Sequence, residues 1–198
     1  MATTNILICG VGGQGLVLST TIISEVCFIE GYDLKTSDVI GLSQRGGKVW
    51  GHVRFGEKVY SASIPQGEAD YILALEQLEG LRWLPMLRPE GKIILSEEII
   101  YPNRVLLEKE EYPQDIKETM KAKGHQVYDV NSKEACRALG NIKASNTYLI
   151  GVLSTFLPFK EESWLQAIKT TIPSKILQVN LSAFKAGRGV YTLTPTSK

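Results

Sequence analysis

The chain has 198 residues, of which 43% are hydrophobic and 22% charged, the balance of an ordinary soluble globular protein. Lysines and arginines total 22 and aspartates and glutamates 21, so a net charge of +1 gives no overall attraction to nucleic acid or to an anionic membrane. No basic segment precedes the first apolar run, and the longest later one, residues 148–159, is too short to span a bilayer. We therefore expect one cytoplasmic domain over residues 1–198 that binds neither nucleic acid nor membrane.

The beginning of the chain predicts a strand, a helix and a second strand. Residues 5–10 are an apolar run that ends in glycine, typical of a buried strand. Residues 16–29 have apolar side chains at helical spacing and stop before Gly31. Residues 33–36 follow as the second strand. This order predicts a βαβ unit with parallel strands and a right-handed crossover.

The next segment has the periodicity of an antiparallel hairpin. Residues 48–55 alternate between two unlike faces, and residues 57–61 are expected to form the hairpin partner across Gly56. Further strands are predicted at 70–75, 91–95 and 126–130, and helices at 77–84, 112–123, 132–139, 144–156, 164–171 and 175–185. The sequence thus predicts an α/β chain with a Rossmann-like three-layer fold, a mainly parallel sheet and a β-hairpin insertion near residues 48–61.

The strongest local motif is a glycine-rich turn between the first strand and the first helix. Gly10, Gly12 and Gly15 match the pattern GxGxxG, with Gly13 and Gln14 between them. Glycines allow a sharp turn, and the helix that follows offers unpaired N–H groups at the positive end of its dipole. An anionic group, or a carboxylate or carbonyl of a partner, would be stabilised there. The alternative is a tight turn that needs glycine for packing alone.

A second glycine-containing loop follows the second strand. Residues 41–47 place Arg45 among glycines, an arrangement that suits a phosphate or carboxylate, although a solvated surface loop is the alternative. A dinucleotide site would also need an acidic residue at the end of the second strand. Asp33 stands at its start and Asp38 beyond its end, so neither matches well.

The other polar candidates are weaker. Asn146 precedes the buried helix and could either cap it or reach into a site. His52 is expected on an exposed strand face, and the acidic pair at residues 97–98 is expected to be solvated. The three cysteines fit no CxxC site and are too few for a conventional four-cysteine iron–sulfur cluster; they are Cys9, Cys27 and Cys136.

Five motifs occur in an order that resembles one family. They are GVGGQG at 10–15, SQRGG at 43–47, HVRFG at 52–56, IPQGEAD at 64–70 and an asparagine pair at 141 and 146. Together they resemble the gamma-type subunit of 2-oxoacid:ferredoxin oxidoreductases, the pyruvate/ketoisovalerate oxidoreductase family, and most closely the beta subunit of the indolepyruvate type. The resemblance covers about residues 4–190.

The resemblance implies an enzyme subunit that is inactive alone. Enzymes of this family oxidatively decarboxylate a 2-oxoacid to an acyl-CoA and CO2 and pass electrons to ferredoxin. In the indolepyruvate type, thiamine diphosphate and [4Fe-4S] clusters belong to the large partner subunit. This chain is then expected to bind no covalent or metal cofactor and to contribute to the region of the co-substrate coenzyme A. The rivals are a self-sufficient NAD(P)-binding Rossmann oxidoreductase and a non-catalytic nucleotide-binding module.

The resemblance also implies which residues form the site, although none is assigned a catalytic role. The proposed binding residues are Gly12, Gly13, Gln14, Gly15, Ser43, Gln44, Arg45, Gly46, Gly47 and Asn146. The Ser-Gln pair before the arginine favours an arylpyruvate substrate. A subunit that normally packs against a large partner should expose apolar surface, so the isolated chain is expected to self-associate. The candidate patch is Trp50 with Val53 or Phe55.

Overall fold

The computed structural model of the chain describes residues 3–40, 47–101 and 111–192. The strands in these ranges are β1 (Thr4–Val11), β2 (Asp33–Val39), β3 (Lys48–Gly56), β4 (Ala69–Ala74), β5 (Leu87–Ser96) and β6 (Gln126–Val130). The α-helices are α1 (Leu16–Ile29), α2 (Gln77–Trp83), α3 (Ile116–Ala122), α4 (Ser132–Ala138), α5 (Ser145–Ser154), α6 (Glu161–Thr171) and α7 (Ser174–Thr192). Short 3-10 turns follow α2 and precede α5.

The six strands form one sheet in the order β2-β3-β1-β4-β5-β6. The pairs β1–β4, β4–β5 and β5–β6 are parallel, whereas β3 runs antiparallel to both of its neighbours. Helices cover both faces of the central strands, and β1 is accordingly apolar on both sides, with seven of its eight residues buried. The expected three-layer fold with a mainly parallel sheet is confirmed.

The predicted hairpin within residues 48–61 is wrong in its second strand. The partner of β3 is β2, and residues 57–61 are not a strand. Side chains hold this segment instead: the Asp33 carboxylate accepts from the Val59 N–H at 3.0 Å, and the Arg54 guanidinium donates to the Ser61 and Ser63 carbonyls. Because these backbone groups are bound by side chains, the segment has no ladder of hydrogen bonds to β3.

The two strands of the predicted βαβ unit are parallel, but a third strand lies between them. The strands β1 and β2 point in the same direction, but β3 lies between them, so they do not pair with each other. Here the antiparallel β3 pairs with β1 instead, and β2 becomes an edge strand.

Two hydrophobic clusters lie on opposite faces of the sheet. Ile6 and Ile8 of β1 pack with α1, α5, α6 and α7, where Trp164 stacks on Phe184 with ring centroids 5.9 Å apart. Leu7 and the second face of β1 pack with α2 and α3. The alternation of β1 side chains therefore joins both layers of helices to the sheet.

Helices α5 and α7 cross at two glycines. A Cβ built at Gly151 would collide with the Phe184 carbonyl oxygen, and one built at Gly187 would collide with the carbonyl oxygen of Tyr148. The two backbones therefore approach more closely than any other residue type would allow. This crossing fixes α5, whose first turn reaches the candidate site described below.

The prediction of an exposed apolar patch formed by Trp50 with Val53 or Phe55 is wrong. Successive side chains of β3 point to opposite faces, so Trp50 lies on the other face from Val53 and Phe55, which are fully buried. The Trp50 ring is itself half-buried and packs on Trp83, with ring centroids 5.0 Å apart.

Among the helices of the described ranges, none combines the length and the hydrophobicity that crossing a membrane requires.

Candidate functional site

A cavity of about 600 Å³ opens at the carboxyl ends of the parallel strands. In open α/β sheets this edge is where ligands bind, because the turns after adjacent strands diverge there. The glycine turn after β1 forms one wall, and the segments after β4, β5 and β6 contribute others. Its apolar lining includes Leu18, Leu75, Ile100 and Leu149. The cavity therefore combines an apolar interior with backbone groups at a helix start.

The glycine turn has the conformation that the motif predicts. Gly13 and Gly15 have φ angles of 101° and 80°, in the left-handed region that favours glycine. Gly15 is the residue before α1, and no described side chain caps the first turn of that helix. The turn thus brings the positive end of α1 to the cavity wall.

Gln14 joins the ends of two parallel strands. Its Oε1 accepts from the Val11 N–H at 2.8 Å, and its Nε2 donates to the Leu75 carbonyl oxygen at 2.7 Å. The same Nε2 lies 3.4 Å from Oε2 of Glu98. Most of the hydrogen-bonding capacity of Gln14 is therefore used to hold the cavity wall.

Asn146 lies against the glycine turn. Its Nδ2 donates to the Gly15 carbonyl oxygen at 3.3 Å, while its Oδ1 accepts from the Thr147 N–H at 2.9 Å. The residue before α5 is Ala144, and it is Asn141 that caps the preceding 3-10 turn by accepting from the Lys143 N–H. Of the two interpretations of Asn146, the structure gives the position in the cavity wall.

The second predicted loop reaches the first one at Gly47. The Gly12 N–H donates to the Gly47 carbonyl oxygen at 2.8 Å, so the end of this loop adjoins the glycine turn. Ser43, Gln44, Arg45 and Gly46 lie outside the described residues. The structure therefore brings together Gly12, Gly13, Gln14, Gly15 and Asn146, with Gly47 beside them.

Glu98 is a cavity residue that the sequence interpretation missed. Its Oε1 lies 2.8 Å from the Lys133 ammonium, and its side chain is only 16% exposed, so the expectation of a solvated carboxylate is wrong. Glu97, its neighbour, is exposed as expected. The signal that could have found Glu98 is its position two residues after β5, at the edge of the sheet where ligands bind.

Comparison with known proteins gives the family. The family model described as pyruvate ferredoxin/flavodoxin oxidoreductase matches residues 5–190. The chain belongs to this family. Indolepyruvate oxidoreductase subunit IorB of Methanothermobacter thermautotrophicus is 34% identical over 189 residues, which cover 93% of this chain and 96% of the relative. The protein of the same name from Thermococcus kodakarensis is 35% identical over 188 residues, or 92% of this chain and 93% of the relative.

A solved structure of greater length has the same fold. It is a 2-oxoglutarate:ferredoxin oxidoreductase from Magnetococcus marinus with 2-oxoglutarate, coenzyme A and succinyl-CoA bound. The similarity has a TM-score of 0.78 and 17% sequence identity, and it covers 100% of this chain but 32% of that chain. The fold of this pyruvate ferredoxin/flavodoxin oxidoreductase family member is thus also found as one part of a longer polypeptide.

A buried acid–tyrosine pair supports the cavity wall of this family member. Glu76, directly after Leu75, accepts at Oε1 from the Tyr112 hydroxyl at 2.5 Å and from the Ile100 N–H at 3.4 Å. Burial raises the pKa of the Glu76 carboxyl, and burial together with Glu76 raises the pKa of Tyr112. The pair holds the segment that carries Glu98 and Ile100 against the end of β4.

The titratable side chains of His52 and Cys9 do not line the cavity. The His52 ring accepts at Nδ1 from the Ile64 N–H at 3.2 Å, and burial lowers the pKa of His52. Cys9 is fully buried, and burial, followed by the charges of Glu79 and Glu76, raises the pKa of the Cys9 thiol well above its usual value. Within the described ranges, no group of three or more histidines, cysteines, aspartates or glutamates is placed to hold a metal ion.

The acids that a dinucleotide site would use are engaged elsewhere. Asp38 accepts at Oδ1 from the Thr20 hydroxyl at 3.0 Å, and Asp33 holds the Val59 N–H. Both belong to β2, which β3 separates from β1 and from the glycine turn. A dinucleotide site has its ribose-binding acid on the strand next to β1. Asp33 and Asp38 are not on that strand, so neither occupies this position.

Proposed function

We propose that the chain is the gamma-type subunit of an indolepyruvate-type 2-oxoacid:ferredoxin oxidoreductase. The complex would oxidatively decarboxylate an arylpyruvate to its acyl-CoA and CO2, with ferredoxin as the electron acceptor. The observation that carries this proposal is the similarity to the two relatives named indolepyruvate oxidoreductase subunit, at 34% and 35% identity over more than nine-tenths of each chain. By itself the chain is expected to be inactive.

The redox chemistry is assigned to a large partner subunit. Thiamine diphosphate would supply the stabilised carbanion there, and [4Fe-4S] clusters would carry the electrons away. The cysteine content supports this division, because a conventional cluster needs four thiolates and the whole chain contains three cysteines. In addition, Cys9, Cys27 and Cys136 are all buried.

The cavity is proposed as this chain's contribution to the coenzyme A region. Gly12, Gly13, Gly15 and Asn146 would line it, with Gln14 holding the wall and the loop of residues 43–47 beside it. The geometry suits this role because the glycine turn before α1 borders a cavity whose lining is mainly apolar, as ligand sites commonly are. The bound coenzyme A named for the Magnetococcus marinus neighbour supports the choice of ligand. The chain's residues would position the ligand and exclude water.

A second, smaller hollow is proposed as part of the docking surface for the large partner. It has a volume of about 320 Å³, shares glycines of the turn with the larger cavity, and is lined by the apolar side chains of Leu16, Val17, Ile40 and Val49. The Val17 side chain is 46% exposed and that of Ile40 66% exposed. Exposed apolar side chains beside the proposed ligand site fit a subunit that covers this site in the complex.

Kinetics of the assembled complex test this proposal. The complex of the chain with its large partner should oxidise indolepyruvate faster than pyruvate, with a viologen as acceptor, and should require coenzyme A. Asn146→Ala and Arg45→Ala should raise the apparent KM for coenzyme A, with a smaller effect on the KM for the 2-oxoacid. A His125→Ala complex, changed in a turn after α3, serves as control. Activity that is independent of coenzyme A would contradict the proposal.

A further inference from the structure

A charged pair at the cavity has one member in the lining, Glu98, and its two side chains differ in exposure. The Glu98 side chain is 16% exposed and lines the cavity, whereas its partner Lys133 is 43% exposed. Lys143 lines the same cavity and is exposed at the surface. The Glu98 carboxylate is therefore less exposed than either lysine side chain. This order of charges is opposite to that of a site that holds a phosphate at its base.

The Oε2 atom of Glu98 has capacity for a further hydrogen-bond donor. Its Oε1 is bound by Lys133 at 2.8 Å, and the described contact of Oε2 is the 3.4 Å approach of the Gln14 Nε2. A carboxylate can accept about four hydrogen bonds, so a ligand N–H could be added at Oε2. An anionic group at the same position would meet a like charge in a partly buried setting, which is costly.

The surrounding walls suit an uncharged ring. Leu18, Leu75, Ile100 and Leu149 also line the cavity. Cavities with mainly apolar walls and a few placed polar groups bind uncharged ligand bodies, and the polar groups fix their orientation. A volume of about 600 Å³ is sufficient for a heteroaromatic ring system and part of its substituents.

We infer that Glu98 makes this cavity selective for a neutral ring that carries an N–H donor, such as a purine, and directs the anionic part of the same ligand outward to Lys143 and Lys133. The inference deepens the proposed function, since coenzyme A has both kinds of group, but the selectivity of Glu98 can be tested without activity. It makes Glu98 a specificity-determining residue of this chain.

Ligand-observed NMR titrations of the full chain with adenosine and, separately, with inorganic pyrophosphate test the inference. The wild-type chain should bind adenosine more tightly than pyrophosphate. In Glu98→Gln, adenosine should bind about fivefold to tenfold more weakly, because a charge-assisted hydrogen bond becomes a neutral one. Pyrophosphate should bind more tightly in the same variant, since the like charge is gone. Glu97→Gln, which makes the same change of charge at an exposed neighbour, should leave both affinities unchanged.

Three results would overturn the inference: no adenosine binding to the wild-type chain, equal behaviour of Glu98→Gln and Glu97→Gln, or tighter binding of pyrophosphate than of adenosine by the wild type. The coenzyme A dependence of the assembled complex is measured separately. A complex that requires coenzyme A while Glu98→Gln has no effect on adenosine would refute the role of Glu98 and leave the proposed function standing. If the chain selects adenosine through Glu98 but the complex does not depend on coenzyme A, the proposed function would be refuted and the role of Glu98 would stand.

Discussion

Gly15 and Asn146 are 131 residues apart in the sequence, and the Asn146 Nδ2 donates to the Gly15 carbonyl oxygen at 3.3 Å. This bond joins the start of α1 to the first turn of α5 at the wall of the cavity. A Cβ at Gly15 would lie 2.7 Å from the same Nδ2. Only glycine therefore satisfies both the left-handed backbone and the close approach of the asparagine.

Gly15→Ala should destabilise the fold by more than its backbone conformation alone requires. A left-handed non-glycine residue costs about 1–3 kcal/mol, and the contact with Asn146 adds to this cost. The matched control is Gly31→Ala, which has the same φ of 80° and no described atom within 4 Å of the added Cβ. Urea unfolding should show a loss at Gly15 at least about 1 kcal/mol larger than at Gly31. Equal losses would mean that Asn146 moves away without cost.

Gly187→Ala should disrupt the crossing of α5 and α7. The added Cβ would meet the backbone of Tyr148, which cannot move as a side chain can, so we expect a loss of about 3 kcal/mol or more in stability. Gly189→Ala lies on the same helix with no described atom near its Cβ, and it should stabilise the chain by about 0.5–1 kcal/mol. Thermal unfolding of the two variants compares them directly. A small effect at Gly187 would show that the helices can separate.

Much of the fold could be predicted from periodicity, but pairing could not. The helix at residues 16–29 has the predicted bounds, because its apolar spacing and its stop at Gly31 are local signals. The partner of β3 was predicted wrongly, because it depends on tertiary bonds such as Asp33 to Val59 and Arg54 to the serine carbonyls. Similarly, the predicted helix at 112–123 begins at Ile116, since Tyr112 is bound to Glu76 instead.

The candidate site was predicted only where a motif marks it. The glycine turn has a sequence pattern, and the structure places Asn146 beside it, although the choice between cap and cavity wall needed the packing of α5. Glu98 belongs to no motif. Its role depends on the three-dimensional positions of Gln14 and Lys133, which spacing along the chain does not contain.

The stability of the chain should depend on pH through Glu76. Burial raises the pKa of this carboxyl in the folded chain above its ordinary value of 4.5. Between the two values the folded chain keeps a proton that the unfolded chain has released, so the stability from Glu76 is complete below pH 4.5 and is lost as pH rises through the raised pKa. We therefore compare the free energies of unfolding of the wild type and Glu76→Gln in urea. The free energy of the wild type should rise relative to that of the variant as pH falls from about 7.5 toward 4.5.

The control for this pH series is Glu90→Gln, at an exposed position of β5. Its difference from the wild type should not change over the same pH range. A difference between wild type and Glu76→Gln that stays constant, or that grows as pH rises, would contradict the assignment of a raised pKa to Glu76.

Ile40→Asp should weaken binding to the large partner by at least about tenfold, because it places a charge in the apolar hollow beside the glycine turn. It should also reduce any self-association of the isolated chain, as measured by sedimentation over a range of concentrations. Tyr60→Asp is the control, since this side chain is 88% exposed and follows the opposite end of the sheet. Equal effects of the two variants on partner binding would show that the hollow is not part of the docking surface.

Membership of a 2-oxoacid oxidoreductase complex can be tested by recovering this chain from its native extract by affinity capture and assaying the eluate with indolepyruvate, coenzyme A and a viologen acceptor. A larger iron–sulfur, thiamine-dependent chain should be captured with it, and the eluate should reduce the viologen only when both substrates are present. A chain recovered alone, in an eluate that remains inactive, would contradict its role as a subunit of a 2-oxoacid oxidoreductase.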